Sequence, residues 1–179
     1  MTNIILTIGA IIIFGTFLKS SNSLMTGNTQ IAEQNEYYLT ALSLAQSVIG
    51  EAKIKAFDQK TITTAVSSPD SLSAVLGTDG VSESVPNPDT LTSNTPYSVT
   101  TLGFLSNPKF NDIDDYNGYK RIVNTPRTEK YTVTSKVVYA SPTYPDSTVS
   151  SRTYCKKMTV TVKSSFMPDS LVISYAFIY

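Results

Sequence analysis

Asp112, Asp114 and Asp115, followed by Asn117 and Gly118, are the residues whose spacing comes nearest to metal chemistry. Hard carboxylate and amide oxygens at near-alternate positions, closed by a glycine, are what a calcium loop supplies. The register is wrong here. Counted from Asp112, such a loop needs its glycine sixth, and Gly118 is seventh. The segment therefore reads as an Asp/Asn-rich turn, with Asn117-Gly118 entering a strand. A metal site on Asp112, Asp114, Asp115 and Asn117 is the alternative.

Composition removes most other chemistry. The chain has no His and no Trp, and Cys155 is its only cysteine. Without imidazole there is no Ser-His-Asp or Cys-His catalysis. One cysteine allows no intrachain disulfide, no Cys/His metal cluster and no haem attachment. Cys155 is expected as a buried strand residue, the usual fate of a free cysteine. The carboxylate pairs Asp114-Asp115 and Glu33-Glu36 lack a nearby His or Arg in sequence. No catalytic residue and no cofactor is expected, and the chain does not read as an enzyme. Lys and Arg total 14, Asp and Glu total 14, so the formal net charge is zero. That gives no basic stripe for nucleic acid, and it leaves copies of the chain free of mutual repulsion, which suits dense assembly.

The elements that must position these residues begin with an uncharged run. Met1 to Leu18 (MTNIILTIGAIIIFGTFL) contains no charged side chain, and Lys19 is the first. A helix apolar on every face has to be buried all round. Counted from Met1, the segment rises about 27 Å, against roughly 30 Å of bilayer hydrocarbon. That is a marginal span. Retention of this segment from Met1 onward argues for an anchor or an assembly element rather than a cleaved signal. Ser20 to Asn28, with Gly27 and several poor helix formers, predicts a kink or melted region near 15–28.

Periodicity then returns. Ile31, Tyr38, Leu42, Ala45, Ile49, Ala52 and Ala56 form one stripe at heptad-like spacing. The predicted helix runs to about residue 59. Residues 60–129 are loop-rich and punctuated by Pro and Gly, with a possible short strand at Tyr97 to Leu102. From residue 130 the pattern alternates: Lys130 to Ala140, Tyr154 to Val162 and Leu171 to Tyr179 read as an antiparallel meander, with Tyr119 to Asn124 as a possible fourth strand. Leu171 to Tyr179 is apolar on both faces, which predicts a central strand or one covered from beyond its own domain. The fold class is α+β, a long N-terminal helix packed on a C-terminal antiparallel sheet of three to four strands. The division is 1–28 for anchor or core and 29–179 for a globular domain.

This layout resembles the type IV pilin superfamily, which includes the type II secretion pseudopilins. The segment Phe110 to Tyr119 (FNDIDDYNGY), with the strands after it, is similar to minor pilins of mannose-sensitive haemagglutinin pili. The resemblance implies a structural subunit of an extracellular filament, anchored in the cytoplasmic membrane before assembly. Its partners would be other copies of itself and a pilus or type II secretion-like assembly machinery. Ile4, Ile5, Ile8, Ile11, Ile12, Phe14 and Leu18 would form the filament core, and Met1 would be a candidate for N-methylation. Family members usually carry Glu at the fifth position, where it meets a neighbour's N-terminal amine; here that position is Ile5. Two other expectations stand beside the filament subunit. One is a minor pilin or pseudopilin that primes or caps a filament. The other is a membrane-anchored extracellular binding domain that never polymerises.

Overall fold

The structure is a computed structural model that describes residues 2–90, 103–125 and 130–179. Met1 and the expected strand at 97–102 lie outside the described residues. By its internal contacts the chain forms two compact units, Met1–Leu39 and Thr40–Tyr179.

Helix α1 (Thr2–Lys53) supplies the whole of the first unit and begins the second. The melted stretch predicted near 15–28 is absent, and helical structure is continuous through it. Gly27 weakens a helix by only about 1 kcal/mol relative to Ala, and helix on both sides propagates across it. Hydroxyl side chains bond back onto the same turns instead of competing for a break, as with Thr26 Oγ1 to Asn22 O at 3.0 Å and Thr29 Oγ1 to Met25 O at 3.0 Å.

The helix stops at Lys53, short of the expected residue 59. Asp58 accounts for the early end. It sits in extended conformation and caps the 3-10 turn Gln59–Thr61, accepting from Lys60 N–H, while Thr61 Oγ1 accepts from Asp58 N–H. Ala56 has already left the helix: its N–H donates to Asn111 O, and its carbonyl accepts from Ile113 N–H.

The second unit contains a four-stranded antiparallel sheet in the order β1-β2-β3-β4: β1 (Lys120–Val123), β2 (Tyr131–Tyr139), β3 (Cys155–Lys163) and β4 (Leu171–Ile178). Alternation set these strands, because a residue that slipped register would carry every apolar side chain to the wrong face. Tyr131, Val133, Val137 and Tyr139 of β2 and Met158, Val160 and Val162 of β3 are buried on one face. The end of α1 covers that face with Ala41, Ala45, Val48, Ile49 and Ala52, all buried.

One strand expectation needs correction. β4 is not central. It pairs with β3 alone and forms an edge. Its apolar character on both faces survives as exposed surface, at Val172 and Ile178 on one face and Tyr175 on the other.

Candidate functional site

The first unit has a surface of one kind. Of the residues expected to form a filament core, Ile5 is 70% exposed and Leu18, the least exposed, is 51%. Ile4, Ile8, Ile11, Ile12 and Phe14 lie between them in exposure, and Leu6, Ile13 and Phe17 complete the apolar circumference. Successive residues turn by 100° around a helix, so this run leaves no polar face. The two hydroxyls within it are consumed internally: Thr7 Oγ1 donates to Asn3 O and Thr16 Oγ1 to Ile13 O, both at 2.8 Å. By length and composition α1 is long and apolar enough to cross a membrane. Every backbone group of such a helix is satisfied along its own axis, which is what a lipid or protein interior demands.

The expected stripe divides between the units. Ile31 is exposed and Tyr38 half-buried in the first. In the second, Ala45, Ile49 and Ala52 are buried, Leu42 is half-buried, and Ala56 lies beyond the helix end.

The acidic run does something other than hold a metal. Asp112 Oδ1 accepts from Asp114 N–H at 2.9 Å and Asp115 N–H at 3.3 Å. Asp115 Oδ2 accepts from Asn111 and Asp112 N–H, tightening the same turn. Asn117 diverges from the others, donating to Leu76 O and accepting from Val137 N–H. Gly118 follows at φ +78°, a left-handed conformation that suits glycine, and its N–H reaches Ser135 O. Among the described residues no three acidic or cysteine side chains converge on a point that could take a metal ion. Of the four candidate ligands, Asp112 and Asp115 accept from backbone N–H groups of the turn, and Asn117 is engaged with Leu76 and Val137.

Asp114 is the exception, because it points into the core. Lys156 Nζ is fully buried and donates to Asp58 Oδ2, Asp114 Oδ1 and Phe57 O, each at 2.8 Å. Three donors meet three acceptors, the arrangement that makes a buried amine tolerable. Burial works to raise the Asp58 carboxyl, but the Lys156 hydrogen bond and charge, with the Lys60 and Ser73 N–H groups, hold it below the usual range. Burial pushes Asp112 up to about 9, aided by its hydrogen bond to Asp114 and that neighbour's charge. Asp112 thus keeps its proton at neutral pH. Asp114 Oδ2, by contrast, is buried without a hydrogen-bond partner.

A second buried cluster ties α1 to β1. Arg121 Nη1 and Nη2 grip Glu51 Oε1 and Oε2 at 2.9 and 2.6 Å, and Arg121 Nε donates to Tyr119 Oη at 2.8 Å. Tyr119 Oη in turn donates to Asp89 Oδ2 at 2.9 Å. The guanidinium lies over the Phe104 ring, 4.2 Å from its centroid. Both clusters went unnoticed in the sequence, although one signal was present. In Tyr154 to Val162, Lys156 has the parity of the buried Met158, Val160 and Val162, so alternation aims it inward.

Cys155 is buried in β3, and burial pushes its thiol up, away from the reactive thiolate. No protein-family model, no curated protein and no solved structure matches this chain.

Proposed function

We propose that this chain is a structural subunit of an extracellular, type IV pilus-like filament that polymerises through the apolar N-terminal part of α1. The observation that supports this reading is the run Ile4 to Leu18, uncharged and exposed on every face. Such a surface in water would carry the full hydrophobic penalty, about 25 cal/mol per Å² of apolar area. Two environments relieve it: the cytoplasmic membrane before assembly, and the same helices of other copies afterwards. Apolar area stays out of water in both, so the hydrophobic term nearly cancels between them. Shape packing and an assembly machinery then decide which state holds. A heterologous contact repeated without closure gives a fibre.

The second unit would form the outer surface. A domain that buries some of its charges and exposes others, such as Lys60, Asp70, Lys136, Asp146 and Lys163, among Ser and Thr has a polar exterior that suits that position. The fact that α1 passes the length requirement for a membrane span also favours a second reading, an anchored extracellular domain that does not polymerise. A minor pilin that primes or caps a filament is intermediate between the two.

Negative-stain microscopy of material sheared from cells, with this chain labelled, separates the readings. Long uniform fibres labelled along their length are expected of a major subunit. Label at fibre tips alone indicates the minor pilin, and label only in the membrane fraction indicates the anchored domain.

A further inference from the structure

We infer that the open edge of β4 docks β4 of a second copy of this chain, antiparallel about a two-fold axis at Tyr175. The edge is defined by hydrogen-bond parity. Tyr179 N–H donates to Tyr154 O at 3.0 Å, continuing a register in which Cys155 faces Ile178 and Lys156 faces Phe177. Bonded positions alternate along an antiparallel pair. The odd-numbered residues of β4 therefore bond to β3, and the N–H and C=O groups of Val172, Ser174, Ala176 and Ile178 point outward. No other described residue bonds to them. The opposite edge of the sheet is treated differently. There Asp89 N–H donates to Lys120 O and Ile122 N–H to Asp89 O, so a loop caps β1.

The β4 strand itself also lacks most of the devices that keep sheet edges apart, the nearby cation being Lys53, whose Nζ lies 4.1 Å from the Tyr175 ring centroid. It contains no charge and no proline, and its register runs without a bulge. Its exposed side chains include Val172 at 56% and Ile178 at 66%.

The second copy is chosen as the occupant because β4 is complementary to itself. An axis normal to the sheet keeps each face continuous, so opposed residues share parity. With the axis at Tyr175, Val172 meets Ile178 of the second copy and Ser174 meets Ala176. All outward groups of both strands then pair, and the two most exposed apolar side chains cover each other. On the helix-side face Ile173 meets Phe177 and Tyr175 meets itself, with no charge anywhere in the strand. Moving the axis to Ser174 takes Ile178 off Val172 and past the end of the strand. The surface belongs to the second unit, so the inference does not rest on the filament reading.

The test uses the full chain in mild detergent, at less than one chain per micelle, under gentle oxidation. Cys155 is buried, so the native thiol gives little background. At the axis, a non-hydrogen-bonded position, opposed Cα atoms approach to about 4.5 Å, within disulfide reach. Residues at 174 would be separated by roughly 9 Å, out of reach. Tyr175→Cys is expected to give about tenfold more linked dimer than Ser174→Cys. Adding Ala176→Pro, which removes an outward N–H that a solvent-facing edge can spare, is expected to return the yield to the Ser174→Cys level. Equal yields from the two cysteine variants, or no effect of Ala176→Pro, would overturn the inference. Tyr175→Cys also removes the ring under Lys53 Nζ, so sedimentation of the uncrosslinked chain serves as the second measurement. A dimer that Ala176→Pro converts to monomer is expected, and a monomeric wild type contradicts the pairing.

Discussion

The first unit wears its apolar side chains outside, and the second buries a set of paired charges inside. In Met1–Leu39 the large hydrophobic residues from Ile4 to Leu18 are all exposed, and the hydroxyls bond to the helix backbone. In Thr40–Tyr179 the buried groups include Lys156, Asp58, Asp112, Asp114 and Arg121, every one with a protein partner. The inversion separates two demands. The second unit pairs its buried cations with its own anions, whereas the first leaves its apolar side chains exposed.

Five substitutions break or sharpen that contrast. Lys156→Ala leaves Asp58 and Asp114 buried without their cation, and is expected to destabilise the second unit by about 3–5 kcal/mol. Ile12→Ala, at an exposed position of the first unit, is expected to change the same denaturation midpoint by less than about 0.5 kcal/mol. Urea unfolding of both variants in mild detergent, followed by the sheet signal in circular dichroism, makes the comparison. A similar cost for the two would erase the distinction between the units.

Arg121→Lys comes next. It keeps the charge but loses the paired grip on Glu51 and the stacking on Phe104, at an expected cost of about 1–3 kcal/mol in the same assay.

Asp112→Asn probes the raised Asp112 carboxyl through pH. A carboxyl raised in the folded state to about 9 binds more protons folded than unfolded between about pH 4 and 9. Its contribution is full below the unfolded value and is lost as pH rises through the folded one. From pH 7 to 9 the wild type should lose roughly 1 kcal/mol per pH unit from this group. Asp112→Asn carries a permanent donor and should flatten that slope. Asp58 has the opposite sign: its folded value is lowered, so its contribution is present above the unfolded value and lost as acid protonates it.

A small stabilising effect is expected at Gly27. A Cβ there meets nothing within 4 Å, so Gly27→Ala should raise helicity and stabilise α1 by about 1 kcal/mol or less.

The sequence exposed some of this more readily than the rest. Strands β2 and β3 were legible because a buried face forces period-two alternation, as at Tyr131, Val133, Val137 and Tyr139. The apolar opening of α1 was legible because its composition admits no polar face. The helix end was missed because Asp58 caps the following turn, and apolar spacing through Ala56 and Phe57 cannot reveal a competing cap. For β4 the pattern leaves two positions open, because apolar residues on both faces look the same in a central strand and in an edge awaiting a partner. Lys156 and Arg121 escaped notice for a different reason. Their anions, Asp58, Asp114 and Glu51, lie 98, 42 and 70 residues away in sequence, and only the fold brings them together.

The central claim is that the apolar face of the first unit is the assembly surface, and Ile8→Asp tests it most directly. Filaments sheared from cells expressing the variant are counted by negative-stain microscopy, while circular dichroism of the purified chain reports the sheet. The account predicts that filaments disappear and the sheet signal is unchanged. Filaments of normal number and length from Ile8→Asp would contradict it.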